Sequence, residues 1–202
     1  MSFWDERYSE PGYLFGEAPN AFLAAQQHRL AGYRTALAIA DGEGRNGVFL
    51  AEQGLDVTSI DASSVGIAKA RALAEKRGVS VDCQLVDIAE YEWPADTFDV
   101  VVGIFFQFAA PPLRDAIFAG MIRTLAPGGL LLLEGYGPRQ MEYGTGGPRV
   151  LENLYTEDLL ADRFKALEIL DLRSYDAELS EGSRHRGVSA LVDLVARKPG
   201  RG

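Results

Sequence analysis

The chain predicts an α/β fold: a mostly parallel, seven-stranded sheet with helices on both faces, ending in an antiparallel strand pair. Three observations carry this. Short apolar runs alternate with helix-period segments at the spacing of βαβ units. Glycine-rich or acidic turns follow several of those runs, as at Gly42, Asp61 and Asp87. The last two apolar runs are joined by a polar stretch with no helix between them, which suits an antiparallel connection.

In chain order, the first thirty-odd residues are aromatic and irregular, with Phe3, Trp4, Tyr8, Tyr13 and Phe15 broken by Pro11-Gly12, Gly16 and Pro19. A short helix over 18–30 follows and stops at Gly32. Residues 1–34 are therefore expected to form an N-terminal lid or docking segment, and 35–202 the main domain. Thr35 to Ala40 reads as a buried strand. A glycine turn, Asp41 to Gly47, opens a helix closed by Gly54, and Leu55 to Ile60 is the second strand. Ser63 is the expected N-cap of a helix that stops at Gly78, with Val65, Ala68 and Ala72 along one face. Strands over 79–86 and 98–104 and a helix from Pro111 to about Leu125 come next. Pro127-Gly128-Gly129 turns into the most apolar strand, from Leu130 to Glu134 and onward. The closing pair is expected over 164–172 and 188–197.

The chain has 202 residues, suiting one domain. With 20 basic and 29 acidic side chains the net charge is −9, which disfavours nucleic acid and anionic membrane surfaces as partners. One cysteine excludes internal disulfides and multi-cysteine metal sites, and two histidines are too few for a histidine-rich one, so no metal is expected. No window approaches the roughly 20 apolar residues of a membrane span. The first residues lack a signal-peptide pattern, so the expected location is the cytoplasm.

In an open α/β sheet, ligands bind beyond the carboxyl ends of the strands. The first such end carries Ala40-Asp41-Gly42-Glu43-Gly44-Arg45-Asn46-Gly47, small enough for a ligand to press on backbone beside a helix N-terminus. Asp61 at the second end is placed to accept from two ribose hydroxyls. Asp87 at the third can accept from an exocyclic amine while Ile88 packs on a purine. Together they outline an adenosine site. Gly42-x-Gly44-x-x-Gly47 satisfies the dinucleotide fingerprint, with Asp61 lying 19 residues beyond Gly42. An NAD(P)-dependent oxidoreductase is therefore one reading, although no Tyr-x-x-x-Lys pair is present and little length remains for a substrate domain.

From about Thr35 to Lys198 the chain resembles class I S-adenosylmethionine-dependent methyltransferases, which share a Rossmann-like sheet. The resemblance rests on the A-x-G-x-G-R-N loop, Asp61, Asp87-Ile88, Phe98-Asp99-Val100-Val101-Val102 and Leu125-Ala126-Pro127-Gly128-Gly129. Trp4-x-x-Arg7-Tyr8, Gly16-x-x-Pro19-Asn20, Glu181-Gly182-x-x-His185-x-Gly187 and Ala196-Arg197-Lys198 are similar to its tellurite-resistance and thiopurine-methyltransferase-like branch. The resemblance implies S-adenosylmethionine as cofactor. Ala40, Asp41, Gly42, Gly44 and Asn46 would line its loop, Asp61 and Ala62 the ribose, Asp87 and Ile88 the adenine, and Ile104 and Phe105 the methionine end. The family's usual strand-one acid is replaced by Ala38, and its loop-opening glycine by Ala40.

Methyl transfer needs alignment above all; a general base is required only where the acceptor carries a proton. His185 is the candidate base. Trp4, Tyr8, Phe106, Tyr136 and Arg186 are candidates for contact with a small-molecule acceptor, such as a thiol or an oxyanion of tellurium or selenium. A non-catalytic S-adenosylmethionine-binding regulator is a further reading. The chain is expected to be a monomer or homodimer.

Overall fold

A computed structural model describes residues 3–200. Its seven strands form one sheet in the order β3-β2-β1-β4-β5-β7-β6, flanked by helices. The strands are β1 (Thr35–Ile39), β2 (Asp56–Asp61), β3 (Asp82–Leu85), β4 (Phe98–Ile104), β5 (Leu125–Tyr136), β6 (Glu168–Glu181) and β7 (His185–Arg197). The helices are α1 (Phe3–Tyr8), α2 (Ala21–Ala25), α3 (Arg45–Glu52), α4 (Ser64–Arg77), α5 (Pro111–Thr124), α6 (Gln140–Tyr143) and α7 (Glu157–Arg163). Contacts divide the chain into two compact units, Met1–Tyr91 with Glu181–Arg184, and Glu92–Ser180 with His185–Gly202.

In the first unit, β1 pairs in parallel with β2, and β2 with β3. Ala36 to Ile39 are buried to the last residue, as a strand covered on both faces requires. α4 begins at its predicted cap: the Ser63 side chain accepts from the Gly66 N–H. Its buried face differs from the expected one. Gly66, Ile67, Ala70, Leu73 and Ala74 face inward, while Ala68 and Ala72 are exposed. Leu73 and Ile67 are the large apolar residues of this helix, and burying them outweighs burying two alanine methyls.

α1 was not expected from the irregular N-terminal composition. It is held by a contact that local sequence does not reveal: the Asp5 carboxylate accepts from the Ser63 hydroxyl at 2.7 Å and the Val65 N–H at 3.3 Å. A carboxylate at the first turn of α4 meets unpaired donors and the positive end of the helix dipole.

In the second unit, β4 and β5 are parallel, and β7 runs antiparallel to β5, with Glu134 opposite Asp193 and Tyr136 opposite Leu191. The closing strands are longer than expected: β6 starts at Glu168 and reaches Glu181, and β7 begins at His185. The segment over 164–167 instead follows α7, a short helix capped by Thr156. Pro127-Gly128-Gly129 lies within β5 rather than before it.

Candidate functional site

The first unit gathers the glycine loop and two strand-end acids. Gly44, at φ +87°, is the residue before α3; a Cβ there would meet the Ala70 Cβ at 2.5 Å, so α3 and α4 approach closely only over glycine. Ala40 holds the left-handed conformation at φ 47°, which costs an L side chain strain that glycine would not bear.

Asp61 binds the loop directly. Its Oδ2 accepts from the Gly42 N–H and its Oδ1 from the Ser63 N–H, both at 2.8 Å. A carboxylate has about four acceptor sites, so this group retains capacity to accept from a ligand hydroxyl. Burial pushes the Asp61 carboxyl above the ordinary range; the backbone N–H groups of Ser63, Gly42 and Ala62 oppose that shift, and the Asp5 charge adds to it. Ala62 follows it and is exposed. Asp87 is exposed; its Oδ1 accepts from the Ala89 N–H at 2.9 Å, leaving Oδ2 available, and Ile88 beside it is buried.

Asp41 turns inward. Its carboxylate accepts from the Ser59 hydroxyl at 2.9 Å and the Gly47 N–H at 3.1 Å, which makes it an internal tie between the loop, β2 and α3. Burial pushes its carboxyl up to about 7; the Ser59 and Gly47 bonds lower it, and the Asp61 charge raises it. A carboxyl raised in the fold contributes most below its unfolded value of 3.8, and that contribution is lost as pH rises through about 7. Asp41→Asn keeps both bonds without a charge to bury. Relative to the parent, it is expected to be unchanged in stability near pH 4 and more stable by up to about 4 kcal/mol above pH 7. Urea unfolding at the two pH values checks this; a pH-independent difference would refute the assignment.

The remaining polar loop residues hold protein rather than facing a ligand. Glu43 accepts from the Leu14 N–H at 2.6 Å and pairs with Lys69 at 2.8 Å. Arg45 pairs with Glu181 at 2.7 Å and donates to the Phe15 carbonyl. Asn46 accepts from the Asn20 N–H at 2.9 Å. These three tie the 14–20 segment and the turn after β6 to the loop, where the Ser183 N–H also donates to the Leu14 carbonyl at 3.0 Å. Asn46, expected among the cofactor-lining residues, thus has its side-chain oxygen committed to the Asn20 N–H. Tyr8 lies over the loop: a Cβ on Gly42 would fall 2.5 Å from its hydroxyl. Trp4 stacks on Tyr8 at 5.5 Å. Burial, then the Asp61, Glu43 and Asp41 charges, push the Tyr8 hydroxyl well above its ordinary range, so it stays protonated as a donor.

The second unit assembles an aromatic group. Phe105, at φ 54° after β4, stacks on Tyr136 at 4.6 Å and meets the His185 ring edge-on at 4.7 Å. His185 is buried and lies 5.9 Å from the Tyr136 ring. Ile104 is buried at the end of β4, and Arg186 is exposed. Phe106, expected as an acceptor-wall residue, faces away into the core, 6.1 Å from Phe118 and 6.3 Å from Tyr155. Neighbouring residues project to opposite sides, so Phe105 and Phe106 do not line one wall together.

Sequence reasoning missed Gln107. Its buried amide donates to the Tyr136 carbonyl at 2.9 Å and the Asn153 carbonyl at 3.2 Å, while its oxygen accepts from the Tyr136 N–H at 2.6 Å. One side chain therefore fixes both backbone groups of the tyrosine in the aromatic group. The signal available was a glutamine among phenylalanines at a strand end.

Among the described residues no group of three or more potential metal ligands occurs, and no helix is long and apolar enough to cross a membrane. Residues 36–129 match the family model described as a methyltransferase domain. Solved structures share the fold. One, concerned with conversion of a disulfide bond into a thioacetal group during echinomycin biosynthesis, is 17% identical with TM-score 0.80, covering 98% of this chain and 91% of that one. TehB from Haemophilus influenzae is 21% identical with TM-score 0.73, covering 97% of this chain and 66% of that one. The N-methyltransferase NodS from Bradyrhizobium japonicum, in complex with S-adenosyl-L-homocysteine, is 16% identical with TM-score 0.71, covering 97% and 96%. No curated protein matched in sequence. The family model spans 94 of the 202 residues, and the solved structures, each under 25% identical, establish the shared fold.

Proposed function

We propose that the protein transfers the methyl group of S-adenosylmethionine to a small-molecule acceptor, with soft nucleophiles (thiols and oxyanions of tellurium or selenium) as the first class to test. The observation that carries the cofactor assignment is Asp61, whose carboxylate is anchored at the strand end on the Gly42 and Ser63 N–H groups beside the glycine loop. Asp87 Oδ2 and buried Ile88 suit an adenine amino group and ring. The tellurite-resistance-like motifs at both ends of the chain support the acceptor class. The expected location is cytoplasmic.

The cofactor supplies a methyl group on a sulfonium, an electrophile that reacts by in-line displacement. The protein's part is to align the acceptor and exclude water, and alignment can supply roughly 7–11 kcal/mol of the barrier. Phe105, partly exposed and backed by the buried Tyr136 ring, offers a flat apolar face for that purpose. His185, wedged against both, is placed to take a proton from an acceptor that carries one. Trp4 and Tyr8 act as the cover over the glycine loop.

Release of S-adenosyl-L-homocysteine across thiols, tellurite, selenite and small phenols tests the reaction. A melting shift with S-adenosyl-L-homocysteine but not NADH tests the cofactor; the reverse pattern would overturn the reading in favour of an oxidoreductase. His185→Ala is expected to lower kcat by about 100-fold on acceptors that must lose a proton, with cofactor affinity unchanged. Equal rates for parent and variant on every acceptor would make His185 a packing residue only.

A further inference from the structure

We infer that the recess walled by α6 and the glycine segment after it binds a small carboxylate carried on an apolar frame. The recess measures about 90 Å³, room for a carboxylate rather than a whole cofactor, and is lined by Gln140, Met141, Pro148, Arg149 and the intervening glycines.

Its wall is built, not loose. Gln140, 2% exposed, donates to the Thr145 hydroxyl at 3.0 Å and the Gly146 carbonyl at 3.1 Å, and its oxygen accepts from the Ala190 N–H at 2.9 Å. Thr145 in turn donates to the Val188 carbonyl at 2.6 Å. The segment also rests on the aromatic group: a Cβ on Gly147 would lie 2.7 Å from the Tyr136 ring, so only glycine allows this approach.

Arg149 supplies the charge. Its neighbour Arg139 is neutralised by Asp176 at 2.7 Å, yet Arg149 pairs with no described carboxylate. The surroundings supply the frame. Met141, Val150, Leu151 and Val188 are 45%, 45%, 61% and 46% exposed, four of the eight exposed large apolar side chains among the described residues. Met141 lines the recess, Val150 and Leu151 follow Arg149 in the chain, and Val188 is held by Thr145. A single guanidinium ringed by apolar surface fits a monoanion on a hydrocarbon body better than inorganic phosphate, which calls for several donors.

Benzoate and benzyl alcohol share a frame and differ in charge, so they form the test pair. Titrated into the protein loaded with S-adenosyl-L-homocysteine and followed by calorimetry, benzoate is expected to bind at least 10-fold tighter than benzyl alcohol. Arg149→Gln is expected to erase that preference, and Arg149→Lys to retain part of it as a point charge without the fork. Equal binding of the two probes, undetectable benzoate binding, or a preference unchanged in Arg149→Gln overturns the proposal. Affinity for S-adenosyl-L-homocysteine, measured on the same samples, reports separately on the methyl-transfer reading. Competition between benzoate and the acceptor would assign the recess to the substrate's anionic end; non-competitive inhibition would assign it to an effector of the same chemistry.

Discussion

Asp61→Ala is expected to weaken S-adenosyl-L-homocysteine binding by at least about 100-fold, equivalent to about 2.7 kcal/mol. The carboxylate is proposed to do two things at once. It takes the N–H groups of Gly42 and Ser63, which sets the loop against the turn into α4. Its remaining lone pairs are the proposed acceptors for two ribose hydroxyls, and hydrogen bonds to a charged group contribute about 1.5–3 kcal/mol each. Alanine removes all of these together. The fold itself should lose far less, because burial and the neighbouring Asp5 charge both disfavour the ionised form. Relief of that repulsion offsets part of the two lost N–H bonds. Calorimetry with urea unfolding on the same variant therefore separates the roles: a stable protein without affinity supports the ribose assignment. Retained affinity sinks it, and so does loss of affinity only in proportion to loss of fold.

The strand ends were legible because burial on both faces leaves apolar runs that need no partner information, and because Gly42, Gly44, Asp61 and Asp87 fall directly after such runs. What those residues do was less legible. Asn46 was read as a ligand group, yet it and its loop neighbours Glu43 and Arg45 are each committed to a tertiary bond with residues 14–20 or Glu181. Those bonds close loops of 26 residues or more and leave no local trace. The same holds for α1, whose anchor at Asp5 lies 58 residues from Ser63. The alanines of α4 gave too weak a periodicity to fix its buried face, and the helix rotates to hide Ile67 and Leu73 instead. In contrast, the Ala40 departure was visible in sequence, and its positive φ gives that departure a physical meaning.

Gln107→Leu is expected to destabilise the fold by about 2–4 kcal/mol, and Gln107→Glu to do so only above neutral pH. Leucine roughly keeps the volume but removes the oxygen to which the buried Tyr136 N–H donates at 2.6 Å, and the amide that donates to the Tyr136 and Asn153 carbonyls; losing a buried partner of this kind costs about 1–3 kcal/mol. The Tyr136 carbonyl is better protected, since the Tyr155 N–H also reaches it at 2.9 Å. Glutamate presents a different problem. Its oxygen still accepts from Tyr136, but its other oxygen then faces the Tyr136 and Asn153 carbonyls where the amide donated. Only the protonated acid can donate there, so burial and the two carbonyls raise its pKa in the fold. A carboxyl raised in the fold loses stability as pH rises, so Gln107→Glu should approach the parent near pH 4–5 and fall below it above pH 7. Gln107→Leu, with nothing to titrate, should be equally impaired at both. Unfolding curves of the two variants at pH 5 and 8 decide the matter. If they move in parallel, the clamp on Tyr136 is not what makes Gln107 matter, and the aromatic group beside His185 must be held in place by its ring contacts alone.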